Sequence, residues 1–402
     1  MRQSNKERHL ERLWKAYIAP TEKSRAPQAD RWLSQYFKTQ PGYGKKDRRW
    51  YTQEFFDLIR YAACAVDATS SRTADQVWKT LANFSFAKLR SGVREKIQAQ
   101  SGKNKFFGGN TLALGLPSEW SDLIKQSSFS EEKQVEFLQR INTRPPLYLR
   151  VNHEKYLNEI EKDFTAHEFT FQQINPTTSC TAYRVEGAMP VYQLNSIKQG
   201  WVEIQDLASQ MLGAAVDAHP GMTVWDACAG GGGKSMQIAA QLKNRGVLYA
   251  SDIREYKLQE IKERAKRAGF FNVRSFVYDA EKSFELPLEV KNKGGFHRIM
   301  VDAPCSASGT LRRNPDVRLR LNASDVADFA QLQLKILQDA SRYLRPNGKL
   351  IYATCSIFRE ENEGVVEKFL KTSPDFQIEK AELFGSPDVD SDTMYYCVMQ
   401  QR

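Results

Sequence analysis

Cysteine and histidine are scarce in this 402-residue sequence, which contains six cysteines and five histidines. No two cysteines form a C-x-x-C pair, and the histidines are dispersed along the chain. This pattern indicates neither a disulfide framework nor a zinc ribbon, and we expect no structural metal site. Long apolar runs are also missing, since none approaches the roughly 20 residues that cross a bilayer. The first residues lack the apolar stretch of a signal peptide, so we expect a cytoplasmic protein without a membrane partner.

Charge, by contrast, is plentiful and unevenly distributed. The formal net charge is +10, and the first 60 positions hold fourteen basic against seven acidic residues. Tryptophans and tyrosines interleave with these cations in residues 31–36 and 43–51. Basic stretches with interleaved aromatic residues are typical of RNA-binding surfaces, although a solvated basic surface is the plainer interpretation. We predict an RNA partner for this region, with contacts from Lys45, Lys46, Arg48 and Arg49.

The pattern of apolar residues divides the chain into three parts. Residues 1–137 repeat apolar residues at helical spacing, which predicts an all-helical domain. Residues 138–198 contain two strand-like runs, 147–151 and 182–185, and are predicted to form a small α/β connector. Residues 199–402 alternate short apolar runs with amphipathic helices. That alternation predicts an α/β core with a doubly wound, mostly parallel sheet of the Rossmann type.

Two cysteines each follow a strand-like run near the C-terminus. Cys305 comes after residues 301–304, and Cys355 comes after residues 352–354. The carboxyl ends of parallel strands are where an open sheet places its functional residues. A thiol at such a place is a nucleophile, a metal ligand or a redox partner, and the spacing alone excludes none of these. The scatter of the other cysteines and of the histidines argues against the metal.

A glycine-rich segment follows the first predicted strand of the core and opens a helix. Glycines there let the backbone approach a ligand and direct N–H groups toward it. A P-loop requires a glycine where this chain has Cys228, and no dehydrogenase residues accompany a dinucleotide fingerprint. We therefore interpret the segment as the cofactor loop for S-adenosylmethionine (SAM), formed by Cys228, Ala229, Gly230, Gly231, Gly232, Gly233 and Lys234.

Three aspartates at the ends of successive predicted strands support the same ligand. Asp252 ends the second strand, where a carboxylate can accept both ribose hydroxyls. Asp279 ends the third, in position for the adenine amino group, and Asp302 ends the fourth. Any one of them could instead cap the helix that follows. Together they favour an adenosine-bearing ligand.

At these residues the chain resembles the RNA cytosine-5 methyltransferases of the NOL1/NOP2/Sun group, and most closely the bacterial Sun (Fmu) type. The resemblance covers roughly residues 140–400 and rests on residues 144–152, 205–210, the cofactor loop, 302–316 and 353–356. It implies a SAM-dependent methyltransferase core in residues 199–402 and an RRM-like connector before it. More weakly, it implies a NusB-like RNA-binding domain in residues 1–137.

The chain departs from the family pattern at two places. Gly230 and Gly231 stand where the cofactor loop usually has Ala-Pro, a change that should loosen the turn and keep the backbone donors. Residues 392–396 replace the usual Asp-Gly-Phe-Phe of the last strand. Neither departure removes a side chain that must do chemistry.

The resemblance also implies roles for individual residues. The Thr-Cys cysteine is the family's nucleophile and the Pro-Cys cysteine helps release the product, so Cys355 is expected to attack and Cys305 to assist release. Asp302 is expected to contact either the methionine end of the cofactor or the N3/N4 edge of the cytosine. Lys234 is expected to reach either the cofactor carboxylate or the RNA. From their position just beyond the Cys305 loop, Arg312 and Arg313 are expected to hold flanking phosphates, and a solvated pair is the alternative.

The hypothesis from the sequence is therefore a monomeric, SAM-dependent enzyme that forms 5-methylcytosine in small-subunit (16S) ribosomal RNA through a cysteine adduct at carbon 6. The same chemistry on transfer RNA or large-subunit ribosomal RNA is the first alternative. A non-catalytic RNA-binding factor of ribosome assembly is the second.

Overall fold

The chain folds as two compact units. The computed structural model describes residues 2–19, 26–40, 42–65, 73–101, 115–177, 180–187, 190–282, 285 and 287–401. Residues 1–144 and 306–327 form one unit, called here the helical unit. Residues 145–305 and 328–402 form the other, called here the sheet unit. No helix in the described ranges is both long and apolar enough to cross a membrane.

Helices and strands are numbered separately along the chain. The helices are α1 (Arg2–Ile18), α2 (Ala29–Thr39), α3 (Lys45–Ala65), α4 (Ala74–Ala82), α5 (Phe86–Ser101), α6 (Trp120–Lys125), α7 (Glu131–Arg140), α8 (Leu157–Ala166), α9 (Asn195–Lys198), α10 (Leu207–Ala215), α11 (Gly233–Leu242), α12 (Glu255–Arg267), α13 (Leu288–Lys291), α14 (Val317–Arg320), α15 (Ala323–Ser341) and α16 (Glu363–Thr372). The strands are β1 (Leu147–Val151), β2 (Thr170–Thr177), β3 (Cys180–Glu186), β4 (Val202–Ile204), β5 (Thr223–Asp226), β6 (Val247–Asp252), β7 (Val273–Val277), β8 (Phe296–Asp302), β9 (Leu344–Thr354), β10 (Phe376–Gly385) and β11 (Thr393–Gln401).

The helical unit has a core of large apolar and aromatic side chains. Helix α1 buries Leu10, Leu13 and Trp14, which are spaced three and one residues apart and so share one face. Helix α4 adds Trp78, and its first turn is held by a capping box between Thr73 and Gln76. The helical character that the sequence predicts for this region is present in all its described elements.

One segment of the helical unit comes from far along the chain. Residues 306–327 follow the β8 strand in sequence, and Leu319 of this segment is fully buried in the helical core. Arg318 donates hydrogen bonds to the Arg60 carbonyl at 2.7 Å and to Asn142 Oδ1 at 2.8 Å. The sequence assigned this segment to the core domain of residues 199–402. The division into three domains stays a prediction. Residues 306–327, however, belong to the helical unit in the structure.

The sheet unit begins with a four-stranded antiparallel sheet in the order β2-β3-β1-β4, called here the connector sheet. Strands β1 and β3 contain the two runs for which the sequence predicts strands. Leu149, Tyr183 and Val185 pack on Phe164 of α8 to form its core. Arg150 of β1 lies directly opposite Glu203 of β4.

A seven-stranded sheet in the order β10-β11-β9-β8-β5-β6-β7 forms the rest of the unit. Strands β9, β8, β5, β6 and β7 are parallel neighbours, while β11 and β10 run antiparallel at one edge. Alternate strand residues pack against α10, α11 and α12 on one face and against α13, α15 and α16 on the other. This arrangement confirms the predicted doubly wound, mostly parallel sheet.

Candidate active site

The carboxyl ends of the parallel strands bring most of the predicted site residues to one edge of the seven-stranded sheet. Strand β5 runs toward the cofactor loop and β6 ends at Asp252, while β8 on the other side of β5 ends at Asp302. The chain order changes direction between β5 and β8. Such a switch point opens a crevice where ligands bind in folds of this type.

The cofactor loop adopts its shape through two left-handed glycines. Gly230 has φ of +53° and Gly232 has φ of +81°, a region in which other residues are strained. A Cβ atom at Gly232 would lie 2.8 Å from Cγ1 of Ile261, so α12 also limits this position to glycine. The Gly230 N–H donates to Asp252 Oδ2 at 3.0 Å, which joins the loop to the end of β6.

A cavity of about 430 Å³ lies beside this loop. Its volume falls within the range of small-molecule sites, roughly 300–1,000 Å³. The three predicted aspartates line it, together with Cys228, Ile253, Arg254, Tyr278, Leu332 and Ile336. This lining fits the nucleoside part of SAM. The carboxylates can accept hydrogen bonds from the ribose hydroxyls and the adenine amino group, and the apolar side chains can pack against the flat adenine ring. The apolar wall from α15 was missed in the sequence, where Leu332 and Ile336 belong to an ordinary amphipathic helix.

The charge of Asp252 is well stabilised. Burial raises the pKa of this carboxyl, but two hydrogen bonds from the Arg254 guanidinium, at 2.8 and 2.9 Å, and the Gly230 N–H outweigh it and lower the pKa. The pKa of Asp279 is also lowered, first by the Glu281 N–H that it accepts. Both groups are therefore carboxylates at neutral pH and accept hydrogen bonds. Arg254 was not among the predicted site residues.

The two strand-end cysteines meet. Cys305 Sγ lies 3.3 Å from Cys355 Sγ, and neither half-buried cysteine belongs to a disulfide. Cys228 lines the cavity, and burial raises its pKa well above the usual value, so it is a poor nucleophile. Cys180 and Cys397 are buried, and burial raises both their pKa values. Two of the six cysteines are therefore arranged for shared chemistry.

Lys234 connects the cofactor loop to this pair. Its ammonium group lies 2.8 Å from Asp302 Oδ2, and both side chains are largely buried. Burial lowers the pKa of Lys234, but the charge and hydrogen bond of Asp302, together with the charge of Cys355, outweigh burial and raise it. Lys234 is therefore a cation whose charge interacts with Cys355, and Asp302 is its hydrogen-bond partner. Its contact with the cofactor carboxylate or the RNA stays a prediction.

Asp226, at the end of β5, is a buried acid that the sequence analysis did not single out. Its side chain accepts a hydrogen bond from Ser235 Oγ at 2.6 Å, and its Oδ1 has no hydrogen-bond partner among the described residues. Burial and the neighbouring charge of Asp302 raise its pKa to about 7, although the Ser235 hydrogen bond lowers it. The sequence offered only one signal, a polar residue at the end of an apolar strand.

A buried network holds the two cysteine loops together. Gln333 of α15 donates from Nε2 to the Pro304 carbonyl at 2.9 Å and to Glu361 Oε1 at 3.0 Å. Ser356 donates from Oγ to the other carboxylate oxygen of Glu361. The residue before Cys305 and the residue after Cys355 are thus tied to one carboxylate.

Two further residues fix the loop that follows β9. Thr354 donates from Oγ1 to Asn362 Oδ1 at 2.6 Å, and Asn362 donates from Nδ2 to the Ser356 carbonyl at 3.0 Å. The Tyr352 hydroxyl donates to Gln333 Oε1 at 3.0 Å. All these side chains are fully or almost fully buried, where unmade hydrogen bonds are costly. Sequence analysis missed the network because residues 359–363 form a charged run that is typical of a surface.

The predicted RNA contacts all belong to the helical unit. Lys45, Lys46, Arg48 and Arg49 are exposed in the first turn of α3, and Arg48 donates to the Tyr43 carbonyl at 3.0 Å. Arg312 is only 7% exposed and donates to the Arg144 carbonyl at 2.9 Å, while Arg313 is half-buried. Arg312 thus has a structural partner, and Arg313 is the more accessible of the two. No group of three or more potential ligand residues that could hold a metal occurs in the ranges that the structure covers.

Known proteins are similar to this chain in sequence and in fold. The family described as 16S rRNA methyltransferase RsmB/F matches residues 214–398. Ribosomal RNA small subunit methyltransferase B of Cronobacter sakazakii is 30% identical over 306 residues, which cover 76% of this chain and 70% of that protein. The chain belongs to the RsmB/F family. The protein of the same name from Klebsiella pneumoniae is 33% identical over 272 residues, 68% of this chain, and the chain spans 61% of its length.

A solved structure agrees with this RsmB/F membership at the level of the fold. The structure of NSun6 from Pyrococcus horikoshii with SFG has a TM-score of 0.61 and 17% identity, and the match covers 71% of this chain and 98% of that one. The resemblance that the sequence predicts is confirmed. The RsmB/F family is SAM-dependent, which confirms the cofactor predicted from the glycine loop and the aspartates.

Proposed function

We propose that the chain methylates carbon 5 of a cytosine in small-subunit ribosomal RNA, with Cys355 as the nucleophile. The observation that carries the proposal is the pair of sulfurs 3.3 Å apart at the ends of β8 and β9, on the sheet edge where the cofactor cavity opens. The names of the relatives supply the class of RNA. Basic residues of α3 and Arg313 supply cations for its phosphates.

The chemistry requires a nucleophile because carbon 5 of cytosine is too weak to attack a methyl group unaided. SAM supplies an electrophilic methyl group on a sulfonium. The Cys355 thiolate forms a bond to carbon 6, and the electron pair of the 5,6 double bond then becomes available at carbon 5. Lys234 supplies a positive charge that interacts with Cys355.

Release of the product requires the reverse movement of electrons. Once carbon 5 carries the methyl group, its hydrogen must leave as a proton so that the double bond can form again. Cys305, as a thiolate, accepts that proton, and the electron pair of the breaking carbon–hydrogen bond expels Cys355 as a thiolate. The 3.3 Å separation of the two sulfurs supports this role, because the proton acceptor must lie close to the adduct that Cys355 forms.

Asp302 links the cofactor cavity to the cysteines. It lines the cavity, and its Oδ2 is bound by Lys234, whose charge interacts with Cys355. From this position it contacts the base edge while Lys234 balances its charge. The target base must be unstacked to enter, at a cost of a few kcal/mol in a duplex and less in a loop. We place this activity in the cytoplasm.

The test compares alanine variants of the two cysteines. Methyl transfer from labelled SAM to unmethylated 16S ribosomal RNA is measured, and covalent protein–RNA complexes are followed on denaturing gels. Cys355→Ala should lose both the 5-methylcytosine product and the adduct. Cys305→Ala should lose turnover and accumulate the adduct, because addition proceeds and release does not.

Cys64→Ala, which changes a thiol of the helical unit, is the control and should retain activity. Full activity of Cys355→Ala would contradict the mechanism. Transfer to transfer RNA or large-subunit RNA with none to 16S RNA would replace the proposed substrate and keep the chemistry. RNA binding without SAM binding, measured by calorimetry, would favour an assembly factor.

A further inference from the structure

The cofactor loop is held from outside by two arginines. The Gly231 carbonyl accepts a hydrogen bond from Nη1 of Arg264, and the Gly233 carbonyl accepts one from Nη1 of Arg150 at 2.8 Å. The loop contains four consecutive glycines, each of which loses more conformational freedom on ordering than any other residue. Fixing these carbonyls limits the backbone freedom of the loop and favours the conformation in which the Gly230 N–H meets Asp252.

Both arginines are anchored on the connector sheet. Glu203 accepts a hydrogen bond from Arg264 at 2.9 Å and another from Arg267 at 2.8 Å, and its side chain is only 8% exposed. Arg150, which lies opposite Glu203 across the β1/β4 pair, is almost fully buried and also donates to Asn152 Oδ1 at 2.6 Å. Each carboxylate oxygen of Glu203 binds a different arginine, and a charge-assisted hydrogen bond in a largely buried site limits the orientations that the Arg264 guanidinium can adopt.

The charge of Glu203 is maintained by its partners. Burial raises the pKa of this carboxyl, but the charges and hydrogen bonds of Arg264 and Arg267 outweigh burial and lower it. Glu203 is therefore an anion at neutral pH. The chain of contacts from the connector sheet to the cofactor loop then runs through Glu203, Arg264 and the Gly231 carbonyl.

We propose that Arg264, oriented by Glu203, and Arg150 are positioning residues for the methyl donor, so that the connector sheet sets the affinity for SAM. A loop that adopts its binding shape only part of the time weakens the apparent affinity by the fraction of time it is competent. The two arginines raise that fraction. This inference rests on SAM binding and not on the cysteine chemistry, so the two can fail separately.

The test measures donor binding without turnover. The dissociation constants of SAM and S-adenosylhomocysteine are determined by calorimetry on the whole 402-residue chain, well below its unfolding temperature. Arg264→Ala should raise both constants about tenfold, because the cofactor loop then spends a smaller fraction of the time in its binding conformation. Glu203→Gln should have a smaller effect, because the amide oxygen still accepts one bond from Arg264. Arg264→Lys keeps the positive charge but cannot bind Glu203 and the Gly231 carbonyl through two guanidinium nitrogens. Its dissociation constants should lie between those of wild type and Arg264→Ala, and it replaces the alanine variant if that variant does not fold.

Kinetics separate positioning from general stability. The KM for SAM should rise in parallel with the dissociation constant, while kcat at saturating SAM and the KM for RNA stay within about twofold of wild type. Glu379→Gln breaks the Lys349–Glu379 ion pair, 2.7 Å long, elsewhere in the same unit and serves as the matched control with unchanged affinity.

A less flexible cofactor loop should restore part of the SAM affinity that is lost without Arg264. Gly231 has no left-handed φ, and a Cβ atom there meets nothing closer than 3.6 Å, so the position has room for a side chain where the resembled family usually carries proline. Gly231→Pro added to Arg264→Ala should recover several-fold of the lost affinity. A lower unfolding temperature with unchanged SAM affinity in Arg264→Ala would overturn the proposal, as would a proline variant that recovers stability and no affinity.

Discussion

Asp226 gains or loses its proton near neutral pH, and this makes the stability of the fold depend on pH. Its pKa is about 7 in the folded protein, against 3.8 for an unperturbed aspartate, because burial penalises its charge. Between these two values the folded state holds a proton that the unfolded state has lost. The stabilising contribution of this proton is full below about pH 4 and is lost as the pH rises through 7.

Asp226→Asn should remove this dependence on pH. The amide keeps the size of the side chain and an acceptor for Ser235, and it carries no charge at any pH. We expect the variant to gain stability relative to wild type as the pH rises from 5 to 8, by about 1 kcal/mol or more. Urea unfolding at pH 5, 6.5 and 8 measures the difference. A difference that is the same at all three pH values would contradict the assignment.

Helix α15 and the turn before α16 fix the geometry of the two cysteines through Glu361. Its carboxylate accepts hydrogen bonds from Gln333, which also binds the Pro304 carbonyl, and from Ser356 beside Cys355. A carboxylate accepts from both sides, whereas an amide must present a donor to one of them. The network is therefore sensitive to a change that leaves the shape of the side chain unchanged.

Glu361→Gln should lower the rate of methyl transfer at saturating substrates by about tenfold or more. The loops that carry Cys305 and Cys355 lose the side chain that connects them, and a displacement of about 1 Å is enough to slow a reaction to this degree. The dissociation constant for SAM should change little, since Glu361 does not line the cofactor cavity. Single-turnover rates and calorimetry give the two quantities. Glu367→Gln, at an exposed ion pair with Arg359, is the matched control. Equal rates for both variants would contradict the role of the network.

The elements of the sheet unit could be predicted from the sequence because their signals are local. The alternation around Val301 and Tyr352 marks strands whose ends carry Asp302 and Cys355, and a parallel sheet then brings those ends to one edge. Gln333 and Glu361 could not be recognised in this way. Each is polar on an amphipathic or charged stretch, and only the packing of α15 against the turn before α16 buries them together.

Contacts between distant parts of the chain explain the remaining differences. Arg312 follows the Cys305 motif, where an arginine predicts a phosphate contact, and that contact stays a prediction. In the structure the Arg312 guanidinium donates to the carbonyl of Arg144. Periodicity carries no information on a partner so far away in sequence. The same holds for Arg264, which belongs to a basic helix face in the sequence and supports the cofactor loop in the structure.

At the scale of the whole molecule, the chain leaves the sheet unit after Cys305, contributes residues 306–327 to the helical unit and returns. Leu319 of that segment is fully buried in the helical core with Trp14 and Trp78. Leu337, on α15, is equally buried in the core of the sheet unit. These two leucines lie close together in sequence and belong to different cores, so they form a matched pair for testing the division of the chain.

Truncation of either leucine to alanine should cost about 2–5 kcal/mol, because each leaves a cavity in a packed core. Hydrogen exchange should separate their effects. Leu319→Ala should increase exchange in α1, α3 and α4 with little change in β8 and β9, since its neighbours are the helices of the N-terminal region. Leu337→Ala should do the reverse. If Leu319→Ala instead loosened the strands β8 and β9 and left α1 and α4 protected, the segment after Cys305 would belong to the sheet unit, as the sequence alone suggested.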